Sequence, residues 1–247
     1  MPDSYPDRGA PLLDVTDVRV AYGDLVAVWE VSLQLRPGGI TALVGRNGAG
    51  KTTLINGLCG LLPVRSGTVL LDGRDITALP PWARVSRGLT VVQEGKRVFR
   101  ELTVRDNLVL GLRGGGVKRG ERESELERLY ARFPILGDRQ RQRAADLSGG
   151  QQQMLAIATA LATRPRVLLV DEPSSGLAPV FVDLVFEALA ALRDEGLAIL
   201  LVEQLVDEVL GGIAEDVIVL DRGRVVVRDR ASNLSVEDVA TSIYSSL

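Results

Sequence analysis

Three short stretches of this chain combine residue types that handle phosphate and water. The first is Gly45-Arg46-Asn47-Gly48-Ala49-Gly50-Lys51-Thr52. Its glycines let successive backbone N–H groups close around an anion at the positive end of the helix that follows. Lys51 adds a mobile cation for β- and γ-phosphates, and the Thr52 hydroxyl adds a ligand for Mg²⁺. The second is the carboxylate pair Asp171-Glu172, at the end of the apolar run Val167-Leu168-Leu169-Val170. Open α/β sheets keep their chemistry at the carboxyl ends of such strands. Asp171 is therefore expected to hold Mg²⁺ through its water shell, and Glu172 to orient and polarise an attacking water. A cap before Pro173-Ser174 would explain one carboxylate, not two facing a phosphate loop. The third is Ser148-Gly149-Gly150, directly before Met154, Leu155, Ala158, Leu161 and Ala162 at helical spacing. That is a second helix N-terminus suited to an anion, although by itself Ser148 reads equally as an ordinary N-cap.

Positioning these groups takes strand, loop and helix in that order. Residues 40–44 are a short apolar run fit for a strand, and Leu54, Ile55, Leu58, Leu61 and Leu62 recur at helical spacing after the loop. Four apolar residues before Asp171 suit a strand buried on both faces of a parallel sheet. Upstream, Leu13, Val15, Val18 and Val20 alternate, as do Trp29, Val31, Leu33 and Leu35, and residues 68–71 lead into an Asp72-Gly73 turn. These are three strands of an antiparallel layer. Residues 95–163 read as mainly helical, broken at Gly114-Gly115-Gly116, which reads as a flexible surface loop. After Glu172, the residues Phe181, Leu184, Val185, Ala188, Leu189 and Leu192 form a helical stripe and residues 197–202 a strand. Residues 217–220 and 225–227 form a hairpin turning at Arg222-Gly223. Residues 1–10, polar with two prolines, read as a loose tail.

Composition narrows the function classes. With 247 residues, 46% hydrophobic, the chain can bury the core of one large domain but not a second module of the same kind. Apolar runs such as residues 197–202 reach about a third of the ~20 residues that span a bilayer, and no basic-then-apolar leader opens the chain. Membrane association is therefore expected only through another protein. The lone Cys59 excludes a disulfide framework and reads as a buried thiol. A net charge of −3 gives no pull toward nucleic acid, and Arg139, Arg141 and Arg143 read as a solvated face.

Leu147-Ser148-Gly149-Gly150-Gln151, set between the phosphate loop and the Asp171-Glu172 strand, resembles the signature of ATP-binding-cassette (ABC) ATPases. The resemblance covers essentially the whole chain. It implies an α/β fold in which a phosphate-loop core has a mostly parallel sheet, an N-terminal antiparallel β subdomain and a helical subdomain near residues 95–163, all in one nucleotide-binding domain over residues 11–247. It implies ATP and Mg²⁺ as ligands. The family pattern places the nucleotide on Gly45, Arg46, Asn47, Gly48, Ala49, Gly50, Lys51, Thr52 and Thr53, with Tyr22 stacked on the adenine. A core aromatic is the competing reading of Tyr22. Thr52, Asp171 and Glu94 are the implied Mg²⁺ site, Glu94 also facing the γ-phosphate, and Glu172, Lys51 and Gln204 are the implied catalytic set. Ser148, Gly149, Gly150 and Gln151 are implied to close over the γ-phosphate of a second cassette packed head to tail. The resemblance thus implies a partner ATPase, either a similar but distinct chain or a second copy.

It can be narrowed further. Glu94-Gly95-Lys96-Arg97-Val98-Phe99, residues 147–157, Asp171-Glu172-Pro173-Ser174 with Gly176-Leu177-Ala178-Pro179, and Leu201-Val202-Glu203-Gln204 are similar to the smaller of the two ATPases of branched-chain amino-acid importers. The implied role is to energise uptake of branched-chain amino acids through two integral-membrane permease subunits, fed by an extracytoplasmic binding protein. The implied place is the cytoplasmic face of the membrane, with no nucleic acid involved. Relatives with nearly identical motifs serve urea and short amides. Soluble ABC ATPases of translation or DNA maintenance are the rival class, but they usually carry two cassettes or a long inserted coiled coil, and this chain has neither.

Three positions depart from the general ABC pattern. Gln93 stands beside Glu94, and either can be the residue that links the γ-phosphate to the membrane subunit; the flanking residues align Glu94. Ala178 stands where many relatives have an aspartate. The chain has no histidine, so Gln204 occupies the place of the family's switch histidine. An amide donates a hydrogen bond but carries no charge and exchanges no proton. A cassette that binds ATP without hydrolysing it therefore stays open as a third reading.

Overall fold

Ile40–Val44, Val167–Asp171 and Ala198–Glu203 are buried along their whole length in the computed structural model, which describes residues 10–244. Residues 1–9 of the expected tail lie outside the described residues. Strands β1 (Leu13–Tyr22), β2 (Leu25–Leu35) and β3 (Ile40–Val44) lead to helix α1 (Lys51–Leu58), then β4 (Val64–Leu71) and β5 (Arg74–Asp75). A short α2 (Pro81–Val85) precedes β6 (Leu89–Val92), and four helices follow: α3 (Val104–Gly114), α4 (Arg122–Arg132), α5 (Pro134–Gly137) and α6 (Gly149–Leu161). The chain continues through β7 (Val167–Asp171), α7 (Pro179–Asp194), β8 (Ala198–Glu203), α8 (Val206–Glu208), β9 (Asp216–Asp221), β10 (Arg224–Arg230) and α9 (Val236–Tyr244).

Two sheets result. One has the order β2-β1-β4-β5 and is antiparallel; the other runs β10-β9-β3-β8-β7-β6 and is parallel except for the β9–β10 hairpin. The parallel strands read as unbroken apolar runs because both faces of their sheet are covered. Ile40, Val170, Leu201 and Val219 face a core shared with α3, α6 and α7. Leu43, Leu169, Leu200 and Ile218 face a core shared with α1 and the antiparallel sheet. The mixed architecture matches the fold expected from the motifs.

Strict alternation fails in the N-terminal layer, and bulges explain why. Val15 and Val18 are three apart, which would put them on opposite faces, yet Leu13, Val15, Val18 and Val20 are all buried. The ladder slips between them at Asp17, whose φ is +49°. In β2 the same device corrects an expectation. Glu30 has φ +51°, so Val28 joins Val31, Leu33 and Leu35 in the core while Trp29 turns away. Trp29 lies instead between Arg19 and Arg224, whose guanidinium carbons are 5.5 and 5.3 Å from its ring centre.

Three further expectations are corrected. Helix α1 ends at Leu58, and Gly60 at φ +77° turns the chain so that Leu61 is half exposed instead of extending the apolar stripe. The buried face of α7 is Val182, Val185, Phe186, Leu189 and Leu192, with Leu184 exposed. Gly114-Gly115-Gly116 forms the end of α3, with Gly114 and Gly116 exposed but Gly115 packed so closely that a Cβ there would come 2.6 Å from the Thr163 backbone. Among the described residues no helix is long and apolar enough to cross a membrane.

Candidate active site

β3 lies between β8 and β9, and β7 flanks β8, so the loops after β3, β7 and β8 open together at the carboxyl edge of the sheet. The loop between β3 and α1 holds Gly48 and Gly50 at φ +82° and +105°, conformations that a Cβ disfavours. Gly45 is needed for a different reason: a Cβ there would strike the Leu220 carbonyl. The loop is braced from behind by the β9–β10 turn, where the Gly223 N–H donates to Ala49 O at 2.8 Å. Lys51, 4% exposed, folds back over the loop. Its ammonium donates to Gly45 O at 2.8 Å and Arg46 O at 3.2 Å and lies 3.4 Å from Glu172 Oε1.

Glu172 follows the last residue of β7 with φ +47°, a left-handed conformation that costs a non-glycine residue about 1–2 kcal/mol. Its N–H donates to Val202 O at 2.9 Å, and its carboxylate lies between Lys51 and the Gln204 amide, whose Nε2 donates to Oε2 at 2.6 Å. Asp171 is 2% exposed, and its Oδ1 is buried with no hydrogen-bond partner. Burial pushes its pKa up to about 6; a hydrogen bond from Thr52 opposes the rise, while Glu172 and Glu94 add to it. A stranded acceptor oxygen on a carboxylate that Thr52 also touches fits a hydrated divalent cation.

Lys51, Thr52, Glu172 and Gln204 line one cavity of about 480 Å³ together with Ala27, Asn47, Gly48, Gly50, Thr53, Glu94 and Ser175, whereas the buried Asp171 is not part of its lining. Ligand pockets are commonly of this size. Of the two adjacent candidates, Glu94 lines the cavity and Gln93 does not. Tyr22 is half exposed at the rim, where the Thr53 hydroxyl donates to its phenolic oxygen at 3.4 Å, so it is not a core aromatic. Sequence reasoning missed Ala27, which offers no side-chain chemistry to read, and Ser175, which lies beyond the Asp171-Glu172 motif.

Ser148, Gly149, Gly150 and Gln151 are not part of this cavity. Ser148 caps α6: its Oγ accepts from the Gln151 N–H at 3.3 Å, and its own N–H donates to Gln151 Oε1 at 3.0 Å. Gly150 leaves room for the Phe181 ring. A separate groove of about 1210 Å³ between α4, α5 and α7 contains none of the candidate site residues.

Comparison with known proteins agrees with this geometry. The family model described as ABC transporter matches residues 28–175. The chain is 40% identical to the high-affinity branched-chain amino acid transport ATP-binding protein BraG of Pseudomonas aeruginosa, over 94% of this chain and 99% of that one. It is 37% identical to the probable branched-chain amino acid transport ATP-binding protein LivF of Archaeoglobus fulgidus, over 90% and 94%. A solved ATP-binding cassette of an ABC transporter superposes with a TM-score of 0.82 at 26% identity, covering 95% of this chain and 99% of that one.

Proposed function

The chain belongs to the ABC transporter family and is an ATP-hydrolysing subunit of that class, and we propose that it energises import of branched-chain amino acids as one of a pair of cassettes. The observation that carries the hydrolytic assignment is the Glu172 carboxylate, gripped by Lys51 and Gln204 at the edge of the phosphate cavity. In this reading the N–H groups of the glycine loop and Lys51 hold the β- and γ-phosphates, and Lys51 meets the charge that develops on the transferred phosphoryl group. Glu172 aligns a water and takes its proton as the new O–P bond forms and the bond to ADP breaks. Gln204 holds one carboxylate oxygen of Glu172 and leaves the other toward Lys51. Thr52, Asp171 and Glu94 are the residues that would hold Mg²⁺, which when bound offsets charge on the phosphates. Tyr22, at the rim beside Thr53, would carry the adenine.

The position of Ser148 to Gln151 outside this chain's own cavity supports a head-to-tail pair in which they close over a partner cassette's γ-phosphate. Five residues after Glu94, Phe99 is 60% exposed, and the buried Asn107 pins its backbone through hydrogen bonds to both its N–H and its carbonyl. That exposed ring offers permease subunits an apolar handle, and docking there would place the chain at the cytoplasmic face of the membrane. The cargo assignment rests on the two amino-acid transport relatives. Co-expression with candidate permeases and a binding protein, followed by ATP-dependent uptake of leucine against urea, tests it. Uptake of leucine supports the reading; uptake of urea or an amide alone would replace the cargo.

A further inference from the structure

β8 delivers a second carboxylate to the same sheet edge. Glu203 pairs in register with Val44, the last strand residue before the phosphate loop, and is 1% exposed. Among the described residues no cation forms an ion pair with it. It is held by three donors instead. The Ser174 N–H donates to Oε1 at 3.0 Å, and the Ser174 hydroxyl and the Gln204 N–H donate to Oε2 at 2.8 and 3.2 Å. Two acceptor-only oxygens facing three donors is the arrangement of an ionised carboxylate. Glutamine in its place would offer one acceptor oxygen and turn an N–H toward a donor.

A single hydroxyl or amide could close a turn here with less desolvation. What the carboxylate adds is a simultaneous hold on two loops that both reach Glu172. Ser174 is two residues beyond Glu172 along the chain, and Gln204 grips Glu172 Oε2. The links Glu172 to Ser174 to Glu203 to Gln204 and back to Glu172 close a ring. Glu172 sits in that ring at φ +47°, a conformation that persists only where its surroundings impose it.

We propose that Glu203 is a positioning residue for ATP hydrolysis, its carboxylate locking Gln204 and the Ser174 turn in the one geometry that aims Glu172 at the γ-phosphate. It touches no nucleotide and acts through Gln204 and Ser174. The inference rests on the reading of Glu172 and Gln204 as the hydrolytic pair.

The test is a double-mutant cycle in the full chain, Glu203→Gln and Gln204→Ala singly and together, read by fluorescent ATP titration and by single-turnover phosphate release with enzyme in excess. Glu203→Gln is expected to slow phosphate release by about tenfold or more while ATP affinity stays within about twofold, because misaimed catalytic groups lose rate and not ground-state binding. The same substitution in the Gln204→Ala background should cost much less. Equal losses of affinity and rate, an unchanged rate, or a penalty undiminished by Gln204→Ala would overturn the proposal. If Gln204→Ala alone leaves hydrolysis unchanged, the assignment of Gln204 fails and the proposal falls with it; if Gln204→Ala is slow and Glu203→Gln is not, only the proposal fails. Should Glu203→Gln not fold, Ser174→Ala removes the hydroxyl donor on one of the two loops and leaves its backbone N–H. It must then slow phosphate release without weakening ATP binding, and a normal rate there would overturn the proposal as well.

Discussion

Lys51 and Glu172 are 3.4 Å apart and nearly buried, yet their removal should have opposite consequences for nucleotide. Lys51 donates to two backbone carbonyls and faces Glu172, so on binding it exchanges these partners for phosphate oxygens. Hydrogen bonds to charged groups contribute about 1.5–3 kcal/mol each, and part of that gain is offset by the partners given up; Lys51→Ala should cost about 3 kcal/mol, roughly a hundredfold in ATP affinity. Glu172→Gln keeps the size of the side chain and an oxygen for the Gln204 amide, but removes an anion from beside the phosphates and from Lys51. Affinity should therefore stay the same or tighten a few-fold, while loss of the general base lowers single-turnover hydrolysis by about 10²–10⁴-fold. Fluorescent nucleotide titration and rapid-quench phosphate release separate the two effects. Full hydrolysis in Glu172→Gln, or Lys51→Ala binding ATP as tightly as the parent chain, would refute the division of roles.

Two other predictions concern support and assembly. Arg84, 2% exposed, donates to Gly57 O and Leu58 O at the end of α1 and to Leu79 O and Thr77 O, so Arg84→Met should strand these carbonyls and destabilise the chain by about 3 kcal/mol. Urea denaturation reads the loss, and labelling of Cys59, a thiol that burial pushes up to about 12, should accelerate with it; a change below about 1 kcal/mol would show that Arg84 caps nothing of consequence. Ser148→Ala placed in only one copy of a paired complex should abolish hydrolysis of the nucleotide held by the other copy, beyond the ~1 kcal/mol of a lost helix cap. Loss confined to the nucleotide of the mutated copy would rule out closure in trans.

What could be read from the sequence follows from what constrains it. Phosphate and Mg²⁺ dictate residue types at short, fixed spacing, so the segment from Gly45 to Thr52 and the pair Asp171-Glu172 announce themselves, and the structure brings Lys51, Thr52 and Glu172 to one cavity, with Asp171 buried at the end of β7. Strands buried on both faces were legible for a similar reason, because β3, β7 and β8 have no polar side to interrupt them. The N-terminal strands were legible only in part. A bulge shifts the phase by one residue and leaves little trace in composition, so Trp29 reads as core although its backbone turns it toward two arginines. The stripe on α7 was misread at Leu184, which is exposed, and missed the buried Val182 and Phe186, because all three are apolar and only the packing of the helix decides which face turns inward.

The groups that hold the catalytic residues were the least legible, and the reason lies in distance along the chain. The phosphate loop is braced by Gly223, far downstream, and the buried carboxylate beside Gln204 bonds to a serine 29 residues before it. Neither contact imposes a spacing. Glu203 ends an apolar strand and its neighbour Gln204 drew attention only as the substitute for a histidine, so nothing local distinguished a buried acceptor from a solvated terminal charge. Its role becomes readable once three donors are seen to converge on two oxygens, since those bonds offset the burial that pushes its pKa up. A site that lacks an imidazole can still hold its water-activating carboxylate in place if a neutral amide grips that carboxylate and a buried anion grips the backbone of the amide. In this chain the ring closed by the backbone from Glu172 to Ser174 and by hydrogen bonds through Glu203 and Gln204 supplies both holds.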